Sequence, residues 1–319
     1  MKSLSISKIL LSTVVAALCG CSSGDNEELV VSGEYEASGI ASKMGGVSEL
    51  IDIDDSGNIT DWGTRSIYFG GSTGNRFFQV WDTYDVPMVY SGTSYLGDFK
   101  AKENGVSTTT LSGKLTGTFK VGDKLSLYSP SPECDFRGQD GTIASMSALY
   151  SFLSATATVA SVSGSTVTTS AMTFSSFATY LTFILRDEND RLLHIKKLIL
   201  TNHNGMLAET MDLLKGKNVP TSELVVNASK ETNTDDYPTA IYMVVRDLGT
   251  VKSSYTITVL ASDGKTYQKK NAFSSLLNTG GKHYYVRQQL TCIDVEAGVS
   301  TGIIPPTDED VQIDDVVKE

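Results

Sequence analysis

Two cysteines near the start of the chain, Cys19 and Cys21, have the setting for a modified thiol. Lys2 and Lys8 make the N-terminus positive, and residues 9–17 form an apolar run that is interrupted by Ser12 and Thr13. A positive start, a short apolar run and a small residue before a cysteine are typical of a secretory signal peptide. A bilayer-spanning helix needs about 20 apolar residues. The run is roughly half that length, so the sequence disfavours an uncleaved membrane anchor.

The spacing around Cys21 resembles the lipobox of bacterial lipoprotein precursors. Leu18 stands three places before the cysteine and Gly20 stands directly before it. Cys19 does not fit the lipobox, because Leu18 would occupy the place that needs a small side chain. The resemblance implies that residues 1–20 are a signal peptide. It also implies that Cys21 carries a thioether-linked diacylglycerol and an N-acyl chain, which attach the protein to a membrane.

An acidic segment, residues 22–28, follows this cysteine and has no apolar group to fold on. We interpret residues 21–47 as the lipidated N-terminus with an acidic spacer. An acidic patch directly after a lipidated cysteine resembles the signal that moves some lipoproteins to the outer leaflet of the bacterial outer membrane. The resemblance implies a lipid-anchored outer membrane protein displayed at the cell surface.

The charge and length of the chain limit its partners and its organisation. The net charge is −11, and loss of Lys2 and Lys8 with the signal peptide takes it to −13. A protein this acidic repels nucleic acid, so we exclude DNA and RNA as partners. The remaining length of about 300 residues predicts two domains.

Two further cysteines, Cys134 and Cys292, are too few for a zinc site and are not in metal-like spacing. They fall in different predicted domains, so we predict two separate thiols, with a disulfide as the alternative. No metal and no cofactor is predicted.

Residues 52–63 contain part of a calcium-loop pattern. Suitable residues stand at its first, third, fifth, sixth and eighth places, namely Asp52, Asp54, Ser56, Gly57 and Ile59. The twelfth place, where a bidentate Glu should stand, is Gly63. The flanking residues also have strand character and not helix character, so the pattern does not predict a calcium site.

A serine in a G-x-S-x-G pattern, Ser72, suggests a hydrolase nucleophile. Such a nucleophile must lie between a strand and a helix, whereas another strand pattern follows Gly74. His194, His203 and His283 show no spacing that ties one of them to Ser72. We therefore predict that the protein is not an enzyme.

Short strand patterns separated by Gly and Asn predict an all-β protein. Residues 48–62 indicate a hairpin, residues 154–170 two strands, and residues 255–267 a hairpin that turns at Asp263-Gly264. Helices are predicted only at residues 143–153 and, briefly, at 206–215, where Gly216 gives a stop signal.

Five short motifs, in order, resemble the fimbrillin family of pilins and pilin-like surface lipoproteins of the type V pilus kind. They cover residues 119–130, 138–142, 172–185, 198–205 and 280–290. The resemblance implies two tandem transthyretin-like β-sandwich domains with Greek-key character. We place them at residues 48–170 and 171–298.

The acidic tail, residues 299–319, contains Pro305 and Pro306, which cannot continue a strand ladder. The tail nevertheless contains apolar residues, namely Val311, Ile313, Val316 and Val317. Such a tail can pair with the sheet edge of a neighbour. Because polymerising fimbrillins exchange terminal strands, the resemblance makes it a candidate donor strand; a plain disordered tail is the alternative.

The resemblance also implies proteolysis after a basic residue that follows the first strand. Arg65 is our first candidate, because it follows a predicted strand in a loop between Gly63 and Gly70. Lys43 is the second candidate. The alternative is that Arg65 is simply a solvated charge.

The resemblance thus implies a structural or adhesive subunit of a cell-surface pilus. Its partners would be other pilin subunits, the membrane through the lipid on Cys21, and host or bacterial surface ligands. The alternative function is a surface glycan-binding lipoprotein that does not polymerise. That function needs exposed aromatic side chains, which the tyrosines would supply, since Trp62 and Trp81 lie in patterns that favour burial.

Overall fold

A computed structural model describes residues 32–43, 48–53, 59–65, 80–81, 85–229 and 237–294. Within these ranges the chain is almost entirely β-strand and includes one short helix, which confirms the all-β prediction. The helix is α1 (Ile143–Leu149). The strands before residue 177 are β1 (Gly33–Lys43), β2 (Ser48–Ile53), β3 (Ile59–Arg65), β4 (Met88–Ser91), β5 (Ser94–Asp98), β6 (Lys100–Ala101), β7 (Thr108–Gly117), β8 (Lys124–Ser129), β9 (Glu133–Asp135), β10 (Leu153–Ser163), β11 (Thr166–Thr169) and β12 (Met172–Ser176).

Ten further strands follow. They are β13 (Thr179–Arg186), β14 (Ile195–Asn202), β15 (Leu207–Asp212), β16 (Lys217–Thr221), β17 (Glu223–Asn227), β18 (Ala240–Val245), β19 (Ser253–Ala261), β20 (Thr266–Ser275), β21 (His283–Gln289) and β22 (Thr291–Cys292).

Seven strands form a closed, barrel-like sheet around the first core. Their order is β1, β12, β10, β8, β4, β5 and β7, and the pairing of β7 with β1 closes the ring. Strand β11 pairs with β1 and β10, as β12 does. The enclosed side chains include Trp81, Phe99, Leu115 and Phe174.

A second core is formed by residues of two five-stranded sheets. One sheet has the order β18, β13, β21, β2, β3 and the other has the order β17, β14, β19, β20, β22. Buried residues such as Phe183 and Ile257 come from the two sheets and belong to one cluster. The hairpin of β2 and β3, predicted from sequence, is confirmed, and β2 pairs in parallel with β21.

The segment between β8 and β10 contributes to the second core through Cys134, Phe136 and Phe152. Gln139 then makes hydrogen bonds to two sheet edges that a neighbouring strand would otherwise make. Its side chain accepts a hydrogen bond from Val244 N and donates one to Val244 O, at 2.7 and 2.8 Å. Its backbone carbonyl accepts from Asn227 N. This glutamine therefore joins the edge of β18 to that of β17. The division of the chain at residue 170 stays a prediction.

Helix α1 begins where the sequence predicts, because the Thr142 hydroxyl caps it by accepting from Ser145 N at 3.1 Å. It ends four residues early. Leu153, the last residue of the predicted helix, starts β10 instead and pairs with Ser129 of β8.

The brief helix predicted at residues 206–215 is wrong. Residues 207–212 form β15, which pairs with β16 on one side and β9 on the other. Gly216, interpreted as a helix stop, has a φ of +62° in the turn between β15 and β16. Pairing on both edges outweighs the local helix propensity here.

Residues 33–43 also correct the sequence analysis, which assigned residues 21–47 to a spacer. They form β1, the longest strand of the ring together with β10. The pattern was missed because small residues, Ala37, Gly39 and Ala41, fill its inward positions, and Ala and Gly are weak strand formers.

Cys134 and Cys292 are free thiols, which confirms the prediction. The prediction was based on the two cysteines falling in different domains. That reason does not hold, since Cys134 belongs to the second core and Cys292 packs against the same core. Burial raises the pKa of the Cys134 thiol to about 12, so this thiol is inert at neutral pH.

A buried histidine on β21 predicts a pH-dependent stability. His283 on β21 lies with Nε2 2.7 Å from Thr182 Oγ1 on the neighbouring strand. Desolvation lowers the pKa of His283 to about 3. The unfolded chain, with a histidine pKa of about 6.5, binds a proton that the native state does not. The contribution is therefore fully present above about pH 6.5 and is lost as the pH falls.

We expect His283 to lower the free energy of unfolding by about 2 kcal/mol between pH 7 and pH 5. Urea unfolding at both pH values measures this. His283→Gln should remove that part of the loss, whereas His203→Gln, at an exposed histidine, should retain it. An unchanged pH dependence in His283→Gln would contradict the prediction.

Candidate assembly site at the N-terminal strand

Strand β1 alternates cleanly between the barrel interior and solvent. The inward positions are Tyr35, Ala37, Gly39, Ala41 and Lys43, and the outward residues include Glu34, Glu36 and Ile40. Ala37 and Ala41 are buried, whereas Ile40 is 60% exposed. The strand thus presents small side chains to the core, apart from Tyr35 and Lys43 at its two ends.

Backbone pairing holds β1 along both edges. On one edge it runs antiparallel to β7 through ten residue pairs, from Gly33 with Gly117 to Ser42 with Thr108. On the other edge it runs parallel to β11 and then to β12. Because β1 contributes little apolar area, this double ladder is its main attachment to the barrel.

Gly39 marks a close approach between β1 and the β11–β12 edge. A Cβ atom added there would overlap Thr169 Oγ1 and lie 2.8 Å from Met172 Cε. A glycine inside a strand commonly marks such an approach. This position therefore restricts which sequence can occupy the place of β1.

Lys43 fixes the C-terminal end of β1 inside the protein. Its ammonium group is 2.6 Å from Asp85 Oδ2, donates to Val80 O at 2.9 Å, and lies 4.7 Å from the centre of the Trp81 ring. The Lys43 side chain is only 5% exposed. Trp81 in turn meets Phe174 edge to face at 5.1 Å.

The opposite end of β1 is held by Tyr35, whose ring meets Phe119 edge to face at 5.1 Å. Beside it, Lys114 of β7 pairs with Glu34 at 2.6 Å. Both charged side chains are exposed, so this ion pair adds little stability. The ends of β1 thus differ, with a buried ion pair at Lys43 and an aromatic contact at Tyr35.

The two predicted cleavage residues occupy different environments. Lys43 is buried, as described above. Arg65 is the last residue of β3 and pairs with Ser48, so it ends a strand and does not lie inside a loop. Strand β3 is at the edge of its sheet. Cleavage at either residue stays a prediction.

Several residues singled out from the sequence lie outside the described ranges. They are Cys21, Ser72, most of the calcium-loop pattern, and the donor residues Val311, Ile313, Val316 and Val317. In the part that the structure describes, no three His, Cys, Asp or Glu side chains are grouped to hold a metal ion. No helix among the described residues has the length and apolar character needed to cross a bilayer.

Sequence analysis missed the pairing of Lys43 with Asp85 and the role of β1. The alternation at residues 35–43 was a usable signal, because charged or polar residues occupy most of its outward positions. No local signal connects Lys43 to Asp85, since the contact depends on the fold.

Comparisons with known proteins give distant structural similarity only. No protein-family model and no curated protein sequence matches the chain. Among solved structures, it is similar to a Bacteroides uniformis protein provisionally assigned to cell adhesion, with 12% identity, coverage of 66% of this chain and 88% of that one, and a TM-score of 0.45. A Bacteroides ovatus protein with the same provisional assignment has 14% identity, coverage of 83% and 97%, and a TM-score of 0.44. A fimbrial assembly protein from Parabacteroides distasonis has 10% identity, coverage of 81% and 91%, and a TM-score of 0.38.

The close approach at Gly39 generates a stability prediction. Gly39→Val should lower the free energy of unfolding by about 2 kcal/mol, because the added carbons must displace Thr169 and Met172 in a packed site. Ile40→Ala, on the exposed face of the same strand, should change it by less than about 0.5 kcal/mol. Urea unfolding measures both, and equal effects of the two variants would contradict the role of Gly39.

Proposed function

We propose that the chain is a structural or adhesive subunit of a cell-surface pilus, exported as a lipoprotein through Cys21 and assembled by strand exchange after proteolysis. The observation that carries this proposal is the position of β1. It is a strand near the N-terminus that completes a closed barrel between β7 and the β11–β12 edge. The pair of transthyretin-like domains and the outer membrane anchor belong to the same proposal and rest on the fimbrillin resemblance.

Strand β1 is suited to replacement by another strand. Its attachment is mostly backbone pairing, and any extended segment can reproduce backbone hydrogen bonds. Its inward side chains between Tyr35 and Lys43 are small, so the middle of an incoming strand needs no large side-chain match. A donor must have a small residue at the position of Gly39 or displace Thr169.

Loss of β1 without replacement is costly. Removal would leave β7 and the β11–β12 edge with unpaired backbone groups. It would also expose apolar residues such as Leu111, Leu115 and Phe174, at about 25 cal/mol per Å² of apolar surface. Removal of β1 should therefore be coupled to entry of a donor strand from another subunit.

The two cleavage candidates would open different surfaces. Cleavage after Lys43 would separate only β1 from the rest of the chain. Cleavage after Arg65 would separate β2 and β3 as well, which also opens the edge of β21. The burial of Lys43 supports Arg65, because a trypsin-like protease must first withdraw the lysine side chain from Asp85 and Trp81.

The acidic tail is the proposed donor, through Val311, Ile313, Val316 and Val317. Val311 and Ile313 are two residues apart and would face the barrel interior together. Residues 308–319 contain no glycine or alanine, so entry of this donor would have to displace Thr169. Other copies of the pilin would then be the partners of this chain. The proline pair at 305–306 would keep the donor separate from the last strand of its own subunit.

Digestion of the purified full chain with trypsin tests the cleavage site. We expect a stable core that begins at Ser66 and forms oligomers, because the opened barrel must be refilled. N-terminal sequencing and light scattering measure the two outcomes. Arg65→Gln should prevent both, whereas Lys120→Gln, at an exposed lysine of the barrel, should leave both unchanged. A core that begins at Met44, or a stable monomer cleaved at Arg65, would contradict the scheme.

A disulfide that holds β1 in place separates strand exchange from other routes of association. Ser38 faces Ser112 across β1 and β7, so Ser38→Cys with Ser112→Cys should form a cross-link. After trypsin treatment this variant should stay monomeric and form oligomers only when reduced. Ser254→Cys with Ser274→Cys joins β19 to β20 and should not block assembly. Oligomers from the oxidised Ser38–Ser112 variant would rule out exchange of β1.

A further inference from the structure

Three tyrosines form a cluster on the outer face of the barrel, away from β1. They are Tyr90 on β4, Tyr95 on β5 and Tyr128 on β8, and together we call them the tyrosine patch. The ring centre of Tyr90 is 5.5 Å from that of Tyr95 and 5.9 Å from that of Tyr128. The Tyr90 ring thus contacts both other rings and connects them across three adjacent strands.

Strand register produces this patch. Val89 and Leu127 point into the core, so their neighbours along each strand point outward. Tyr90 is paired with Tyr95 across β4 and β5, and Met88 is paired with Tyr128 across β4 and β8. A register shift between Val89 and Tyr90 places Tyr95 opposite Tyr90, and Asp98 is paired with Met88.

The exposure of these side chains distinguishes the patch from a part of the core. Tyr90 is only 9% exposed and supports its neighbours, whereas Tyr95 is 52% exposed. Tyrosine offers an apolar ring face and a polar hydroxyl, which suits a ligand with both kinds of surface. The patch therefore has both apolar ring faces and polar hydroxyl groups, which suits a ligand-binding surface.

An acidic side chain borders the patch. A hydrogen bond to Asp98, followed by burial, raises the pKa of Tyr95 to about 12. The Oδ1 atom of Asp98 is buried and has no hydrogen-bond partner among the described residues.

Further acidic groups reach the patch from the sheet of β9, β15 and β16. Burial first, and then the charges of Asp98, Glu133 and Asp212 among others, raise the pKa of Tyr90. Lys215 is 2.7 Å from Asp212 and 3.8 Å from Glu133, so it offsets part of this charge. The surroundings stay acidic and disfavour an anionic ligand.

We propose that the tyrosine patch binds a neutral carbohydrate. The apolar C–H face of a sugar ring would stack on Tyr95 and Tyr128, and its hydroxyl groups would donate to Oδ2 of Asp98, because Oδ1 is buried. A sugar combines these two surfaces, whereas an acidic polysaccharide would be repelled by Asp98, Glu133 and Asp212. This binding needs neither β1 nor the tail, so it is independent of the proposed strand exchange.

Affinity electrophoresis of the purified full chain tests the proposal. The gels contain mannan, laminarin, xylan or dextran as neutral polysaccharides, and polygalacturonate as the acidic one. We expect retardation by at least one neutral polysaccharide and none by polygalacturonate. Tyr95→Ala and Tyr128→Ala should each weaken binding about tenfold, which is the effect of losing one stacking contact.

Matched variants separate recognition from folding. Tyr95→Phe keeps the ring and should retain most of the affinity, whereas Asp98→Asn should reduce it. Tyr237→Ala changes a partly exposed tyrosine outside the patch and should leave it unchanged. Thermal unfolding shows that each variant is folded. Absence of retardation by all four neutral polysaccharides, stronger retardation by polygalacturonate, or full affinity in folded Tyr95→Ala would each overturn the proposal.

Discussion

Backbone pairing along both edges of β1 is the constraint on which the barrel depends. Strands β4, β5, β7, β8, β10 and β12 would form an open sheet without it, because β1 is the only strand among the described residues that joins β7 to the β11–β12 edge. A barrel removes sheet edges altogether, and an open sheet does not. One strand from the start of the described chain therefore decides whether the first core is enclosed.

The composition of β1 fits this dependence. A strand that held its place through large apolar side chains would be specific to one sequence and slow to replace. Ala37, Gly39 and Ala41 instead leave the larger neighbours, such as Leu111 and Phe174, to fill the interior. The buried pair of Lys43 with Asp85 then fixes one end of the strand, because separating the two charges would leave one of them buried and unpaired by the other.

Local sequence signals predicted many of the strands but not which strands pair with one another. The turn at Asp263-Gly264 and the strands on either side of Gly164 follow from alternation and turn residues, which are visible in one sequence. Strand β1 was missed because its inward residues are small. The contact of β2 with β21 joins residues more than two hundred positions apart, and Gln139 replaces a strand by means of a side chain. Neither has a local pattern, because each depends on which edges the rest of the fold leaves open.

The candidate cleavage residues were likewise predicted from local sequence, whereas their environments depend on the fold. A basic residue close to glycines is visible in the sequence, so Lys43 and Arg65 were both predicted as cleavage residues. Lys43 is buried, and its burial depends on Trp81 and Asp85, which approach it only in the folded protein. The tyrosine patch also requires the register, since Tyr90, Tyr95 and Tyr128 lie on three strands. Because β1 pairs with β7 and the β11–β12 edge whereas the patch is on β4, β5 and β8, the proposed exchange of β1 would leave the strands of the patch paired with one another.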